Sequence, residues 1–334
     1  MNNEITTIVR IIKEHKEKYI ITYNNKDLEA VITGKLRFSA ESREDFPAVG
    51  DYVTVNIIED DQAIIQEIEP RKSMLARKSI SSDGEKQIIA TNIDISFIIQ
   101  SVDQNFNLNR LERYITISIA GKITPVIILS KIDLIDAPEL LEKINLIKER
   151  NKDITVLAIS NISKEGLDKL LAFMEINKTY CFLGSSGVGK STIINSLMNK
   201  DLLETKEIST QTGKGKHTTT HRELISLSNG SFVIDTPGMR EIGVTDDAEG
   251  LESIYSEIYD LEKKCKFTDC SHTNEPGCAV NEAIKNGTLD KDKLKNFKKL
   301  ERETIHYQSS QYELRKKDKA FGKMVKDVMS QKKR

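Results

Sequence analysis

Three groups of residues in this 334-residue chain have types and spacings that could do chemistry. Gly184, Ser185, Ser186, Gly187, Val188, Gly189, Lys190 and Ser191 fit the pattern G-x-x-x-x-G-K-[ST], with Thr192 following. Glycines at these positions let backbone N–H groups wrap phosphates at a helix N-terminus. Lys190 would then reach the β- and γ-phosphates, and Ser191 would ligate Mg²⁺. Downstream, "VIDTPG" at Val233–Gly238 ends in Asp-x-x-Gly. Asp235 would hold Mg²⁺ through water, and the Gly238 amide would sense the γ-phosphate. "GKGKHTTTH" at Gly213–His221 lies between them, in the place of a first switch loop. One of Thr219 and Thr220 is expected to ligate Mg²⁺.

The second group is "SKID", Ser130, Lys131, Ile132 and Asp133, in the form of a guanine-reading signature that usually opens with Asn or Thr. Asp133 can accept hydrogen bonds from N1–H and N2–H of guanine, donors that adenine lacks. A wrong base would leave the carboxylate unpaired, so discrimination can be strong. "ISNISKEGL" at Ile159–Leu167 has the shape of the loop that closes over the base, carried by Ser160, Asn161 and Ile162. The third group is Cys265-x4-Cys270-x-His272-x5-Cys278. Three thiolates and an imidazole suit a closed tetrahedral Zn²⁺ site, one ion per chain, with no open position and hence a structural role. The fourth cysteine, Cys181, sits in an apolar run and reads as an inert core residue.

These groups need elements to place them. Residues 1 to about 70 read as five short strands separated by turn signals such as "NNKD" and "VGD", the pattern of a small closed barrel of the OB type. Pro70 and "RKSMLARKSISSDGEKQ" read as a linker. Beyond it, "IDISFIIQS", "TPVIILS", "ITVLAIS", "TYCFLG" and "SFVIDTPG" are near-continuous apolar runs. Helical patterns such as "NLNRLERYITISIA" and "APELLEKINLIKER" lie between several of them. Parallel strands covered on both faces read this way, which predicts a doubly wound α/β sheet. Helices follow after Val244. The expected division is 1–72 barrel, 73–244 nucleotide domain, and 245–334 zinc-binding helical domain with a basic tail.

Composition agrees with a multidomain globular protein: 38% hydrophobic, 30% charged, no Trp. No leader stands near Met1 and no apolar run could span a bilayer, so neither secretion nor membrane insertion is expected. Four cysteines argue against a disulfide scaffold and point to the cytoplasm. The net charge of −1 hides an asymmetry. Lys291–Arg334 carries 15 Lys/Arg against 6 Asp/Glu, a balance of +9 that leaves −10 for residues 1–290. Such a tail is either a phosphate-binding surface or a solvated helical face.

The order of the motifs is unusual, because the base-reading elements precede the phosphate loop. A sheet needs neighbouring strands, not a particular chain start. Joining the old termini and opening the chain beyond Gly238 gives the observed order, so the domain reads as a circularly permuted P-loop GTPase.

A small N-terminal barrel, a permuted GTPase domain and a Cys3His module together resemble the RsgA/YjeQ/EngC family of small-subunit-dependent GTPases. The resemblance covers essentially the whole chain and rests on "GSSGVGKST", "GKHTTTH", "DTPG", the motif order and the Cys/His spacing. It implies GTP hydrolysis stimulated by the small (30S) ribosomal subunit, late maturation of that subunit, contact with its rRNA, and a cytoplasmic protein, here expected as a monomer. Ser130 departs from the usual Asn or Thr. Met239, after Asp-x-x-Gly, cannot orient water as glutamine does. The resemblance points to His217 as the substitute, with His221 a second candidate. His217, Lys190 and Gly238 thus form the expected catalytic set. Two other readings compete: an RNA-binding scaffold with a mainly structural nucleotide site, and an ATP-using kinase, which Asp133 disfavours.

Overall fold

The computed structural model describes residues 5–15, 18–59, 62–78, 86–198, 222–235 and 248–305. The first five strands are β1 (Ile5–Glu14), β2 (Tyr19–Tyr23), β3 (Lys26–Ile32), β4 (Tyr52–Glu59) and β5 (Gln62–Ile68). β1 pairs with β2 and β4, β2 with β3, β3 with β5 in parallel, and β5 with β4. That circuit closes an OB-like barrel. Ile11, Ile21, Val53, Val55 and Ile65 are fully buried inside it. The third of the five expected strands, "LEAVITGKLRF", splits: β3 ends at Ile32 and Gly34–Ser39 forms a short helix, α1. The Thr33 side chain caps it by accepting from the Leu36 N–H, and no residue of that helix is buried.

The expected linker is a structural joint instead. Its two ends form the hairpin strands β6 (Met74–Lys78) and β7 (Lys86–Thr91), and Leu75 is fully buried. Arg71, the first residue of the polar stretch, donates from Nε and Nη2 to the fully buried Asp51 at 2.9 and 2.7 Å. It also donates to the carbonyls of Glu44 and Phe46 at 2.7 and 2.8 Å. Apolar-run length cannot reveal a buried ion pair, which is why this segment reads as a linker.

The central sheet uses β8 (Ile95–Ser101), β9 (Thr124–Ser130), β10 (Thr155–Ile159), β11 (Thr179–Leu183), β12 (Glu223–Ser226) and β13 (Phe232–Asp235). The order is β10-β9-β8-β11-β13-β12, parallel except for the β12–β13 pair. β12 was not expected; at four residues it is too short to give a period. It pairs with β1 at Lys13–Glu223, so barrel and central sheet are continuous. The helices α2 (Leu108–Ala120), α3 (Ala137–Arg150), α4 (Leu167–Phe173) and α5 (Lys190–Met198) flank it. One core gathers α2 and α3 residues such as Ile115 and Ile147, and the other gathers Leu170 and Ile193 from α4 and α5. Sheet strands buried on both faces explain the continuous apolar runs.

The C-terminal region has helices α6 (Ala248–Ile254), α7 (Ser256–Glu262) and α8 (Ala279–Lys285), then a helix over residues 291–305. The run "DAEGLESIYSEIYDLEKKC" is broken at Tyr255, whose ring is fully buried against Phe297. This region docks on α2. A Cβ on Gly250 would stand 2.3 Å from the Thr116 carbonyl oxygen, so the two helices approach more closely than any side chain at that position permits. The buried Glu112 of α2 accepts from Asn296 Nδ2 at 2.6 Å and from the Tyr255 hydroxyl at 3.1 Å, and burial raises its pKa. Among the described residues, no helix is long and apolar enough to cross a membrane.

Candidate functional site

Parallel strands direct their carboxyl ends to one edge of the sheet, where α/β proteins build their sites. The loops after β9, β10 and β11 and the last residue of β13 meet there. Gly184 opens the phosphate loop directly after β11 with φ +148°. A Cβ at Gly184 would lie 2.5 Å from the Ile99 carbonyl oxygen of β8. Only glycine serves a chain leaving the sheet so close to its neighbour. The loop runs through Ser185, Ser186, Gly187, the buried Val188 and Gly189 into α5, whose first turn carries Lys190, Ser191 and Thr192. Lys190 Nζ donates to the carbonyls of Gly184 at 2.8 Å and Ser185 at 2.6 Å, which centres the ammonium over the loop.

Ser130, at the end of β9, is fully buried and donates from Oγ to the Val188 carbonyl at 2.7 Å. The base-loop strand is thereby fastened to the phosphate loop. Lys131 follows in the left-handed region, φ 61° and ψ 35°. That conformation costs a non-glycine residue about 1–2 kcal/mol. A single 3-10 turn, Ile132–Leu134, then buries Ile132 and leaves Asp133 exposed. Lys131 Nζ pairs with Asp103 Oδ2 at 3.0 Å. Burial works against the Asp103 charge. Hydrogen bonds from the Ser101 hydroxyl and the Asn105 N–H, with Lys131 beside them, outweigh it and bring the carboxyl down to about 2. Asp103 was not singled out from the sequence, and no motif marks it.

The loop after β10 folds back onto Asp133. Ser160 is fully buried, donates from Oγ to Asp133 Oδ1, and accepts the N–H groups of Ile162 and Ser163 at 3.1 Å each. The side chain of Asn161 reaches the phosphate loop, with Nδ2 3.0 Å from where a Gly189 Cβ would be. Its Oδ1 is buried with no hydrogen-bond partner among the described residues. Ile162 is 81% exposed. Asp235 closes β13 at the sheet edge. His217, Thr219, Thr220, His221, Gly238 and Met239 lie outside the described residues. One further contact belongs to this site: Arg110 of α2 donates to Ser185 Oγ at 3.2 Å.

The Cys3His group assembles in the C-terminal region. The donor atoms of Cys265, Cys270, His272 and Cys278 all lie within 4.8 Å of one another. His272 Nδ1 is 3.7 Å from Cys265 Sγ and 3.5 Å from Cys278 Sγ, and those two sulfurs are 4.0 Å apart. A tetrahedral zinc with ordinary bond lengths sets S–S near about 3.8 Å and S–N near about 3.6 Å. The cluster is therefore compatible with a structural zinc site. His272 Nε2 faces Glu262 Oε1 at 2.8 Å, and a proton on that nitrogen leaves Nδ1 bare for metal. Lys298 Nζ donates to the carbonyls of Ser271 and His272 at 2.7 and 3.0 Å. Neither Glu262 nor Lys298 carries a signal in the sequence. Cys181 stands apart, fully buried in β11, and burial pushes its thiol up.

Comparison with known proteins agrees with this layout. The sequence model of the RsgA GTPase family matches residues 68–245. The chain is 44% identical over 317 residues to small ribosomal subunit biogenesis GTPase RsgA 2 of Lactiplantibacillus plantarum, covering 94% of this chain and 88% of that one. It is 40% identical to the RsgA of Methanosarcina acetivorans, covering 91% and 81%. Among solved structures, YjeQ from Thermotoga maritima matches with TM-score 0.66 and 21% identity over 90% of this chain and 99% of that one. YloQ, described as a circularly permuted GTPase, matches with TM-score 0.64 and 23% identity over 92% and 98%. At those identities the structures share the fold.

Proposed function

We propose a function for a chain that belongs to the RsgA family of GTPases: it binds and hydrolyses GTP on the small ribosomal subunit during the late maturation of that particle. The observation that supports this most directly is the Ser130–Val188 contact, made between residues 58 positions apart. It brings the elements expected to read guanine and those expected to hold phosphate to one edge of the sheet, in inverted chain order. We read that inversion as a circular permutation, with units at 1–72, 73–244 and 245–334.

In this reading Asp133, held by Ser160, accepts N1–H and N2–H of guanine, while the Ser130–Ile132 and Ser160–Ile162 segments frame the base. The amides of Gly184–Gly189 and Thr192, with Lys190, bind the phosphates. Ser191, Asp235 and one of Thr219 and Thr220 hold Mg²⁺, which neutralises charge on the β- and γ-phosphates when bound. Gly238 reports the γ-phosphate, and His217 orients the attacking water, since Met239 cannot. Cys265, Cys270, His272 and Cys278 hold one Zn²⁺, whose role is to fold the C-terminal unit. The segment after Gly238 leads directly into that unit, so the nucleotide state biases how it engages the subunit.

The test is GTP turnover with and without purified small subunits. Slow turnover alone and a rise toward, or somewhat below, about 10³-fold with subunits are expected, the low end of stimulation in trans. No turnover in either arm, with subunit binding retained, would leave an RNA-binding scaffold.

A further inference from the structure

A second charged feature lies beside the phosphate loop. A cleft of about 1310 Å³ opens between α2 and the helix over residues 291–305, and Ser185 and Ser186 form part of its floor. Six cationic side chains line it: Arg110, Arg113, Lys295, Lys298, Lys299 and Arg302. Two have internal work. Arg113 makes a bidentate pair with Glu303 at 2.7 and 2.8 Å, and Lys298 caps the zinc-loop carbonyls. Lys295, Lys299 and Arg302 are exposed and have neither hydrogen bond nor ion pair among the described residues. Their spacing of four and three residues places them on one helical face. Arg110 faces them from the opposite wall, touching Ser185 Oγ.

Two acidic residues, Asp292 and Glu303, line the cleft as well, and Glu303 is taken up by Arg113, so six cations against two carboxylates leave a net positive cleft that focuses the field on whatever enters. A single small anion could satisfy only one or two of these cations, because three of them are spread over two helical turns. A chain of phosphates can meet several at once, and each neutralised phosphate releases counterions. We propose that this cleft binds an RNA backbone, with Lys295, Lys299 and Arg302 as its phosphate contacts and Arg110 as its link to the phosphate loop. RNA is chosen over other polyanions on the strength of the ribosomal reading above. The consequence is a second route from partner to nucleotide, through α2 and Arg110 to Ser185, separate from the switch segment.

The test uses the full chain and a fluorescein-labelled short RNA hairpin, with anisotropy measured across a range of KCl concentrations. The variant K295Q/K299Q/R302Q is compared with a control, K148Q/K152Q/K169Q, that removes equal charge from exposed positions outside the cleft. The cleft variant should bind at least about tenfold more weakly at physiological salt, with a log–log salt slope shallower by about 2–3. The control should change affinity less than about threefold. Equal losses in both variants, or an unchanged slope in the cleft variant, would overturn the proposal. So would displacement of the hairpin by inorganic phosphate at an equal concentration of phosphate groups, which would mark a small-anion site. Binding of a fluorescent GTP analogue to the cleft variant should match wild type. Its loss in wild type as well would count against the GTPase reading and not against the cleft.

Discussion

The Ser130 hydroxyl donates to the Val188 carbonyl oxygen at 2.7 Å, and both residues are fully buried. Ser130 ends β9 and Val188 sits inside the phosphate loop, with β8 between their strands. One hydrogen bond therefore sets the height of the strand before the expected base-reading turn against the loop expected to hold phosphate. The departure from Asn or Thr at this position keeps the hydroxyl that the contact needs.

Ser130→Ala removes that donor and strands a buried carbonyl. A loss of about 1–2 kcal/mol of stability is expected, read as a lowered midpoint in urea. Guanine-nucleotide affinity should fall with it, because the two loops lose their common reference. A variant with unchanged midpoint and unchanged affinity would assign the contact no role.

Asp133→Asn keeps the shape of the residue but replaces an acceptor oxygen with a donor. GTP affinity should drop at least about tenfold, equivalent to about 1.4 kcal/mol, with selectivity against ATP relaxed and XTP gaining ground. Competition binding with the three nucleotides measures it. Wild-type selectivity in the variant would remove Asp133 as the base reader.

Asp103 supplies an acid-limb signature. Its folded pKa of about 2 lies below the ordinary 3.8. The unfolded chain therefore binds the proton first, and stability falls as pH drops from about 4 toward 2. This contribution is fully present above that window. Partial exposure of Lys131 and Asp103 holds it to about 1–2 kcal/mol. Asp103→Asn should flatten the stability–pH curve between those limits, as followed by denaturant midpoints. An identical slope in the two proteins would refute the assignment.

Zinc content near one per chain is expected by elemental analysis, lost in Cys270→Ala together with much of the C-terminal helicity. Glu262→Gln should keep the metal but weaken it by about 10–100-fold in a chelator competition. The carboxylate facing His272 Nε2 raises the basicity of the ligating nitrogen, and the amide does so less well. Full affinity in Glu262→Gln would mark the contact as incidental.

Arg71→Met leaves Asp51 buried without its cation. Breaking a buried pair by removing one partner costs about 3–5 kcal/mol. The joint between barrel and central sheet should therefore melt early in thermal scans, while Lys72→Met, next along the chain, should change little. Equal stability of the two variants would contradict the hub role of Arg71.

Where a group depends on local spacing, the amino-acid order was enough to place its residues together. The Gly184–Ser191 loop, the Ser130–Asp133 turn and the Cys3His cluster each draw their atoms from within a few turns of chain, and backbone geometry over so short a span leaves little freedom. The flanking apolar runs were equally legible, since strands buried on both faces must be apolar throughout. Long-range partners left no such trace. Asp103 meets Lys131 across 28 positions, Arg113 meets Glu303 across 190, and Arg71 meets Asp51 inside what reads as a linker. A charged residue that will be paired has the same local pattern as one that will face water. Only the packed sheet, by placing β8, β9 and β11 side by side and α2 beneath the C-terminal helices, decided which of those charges would meet.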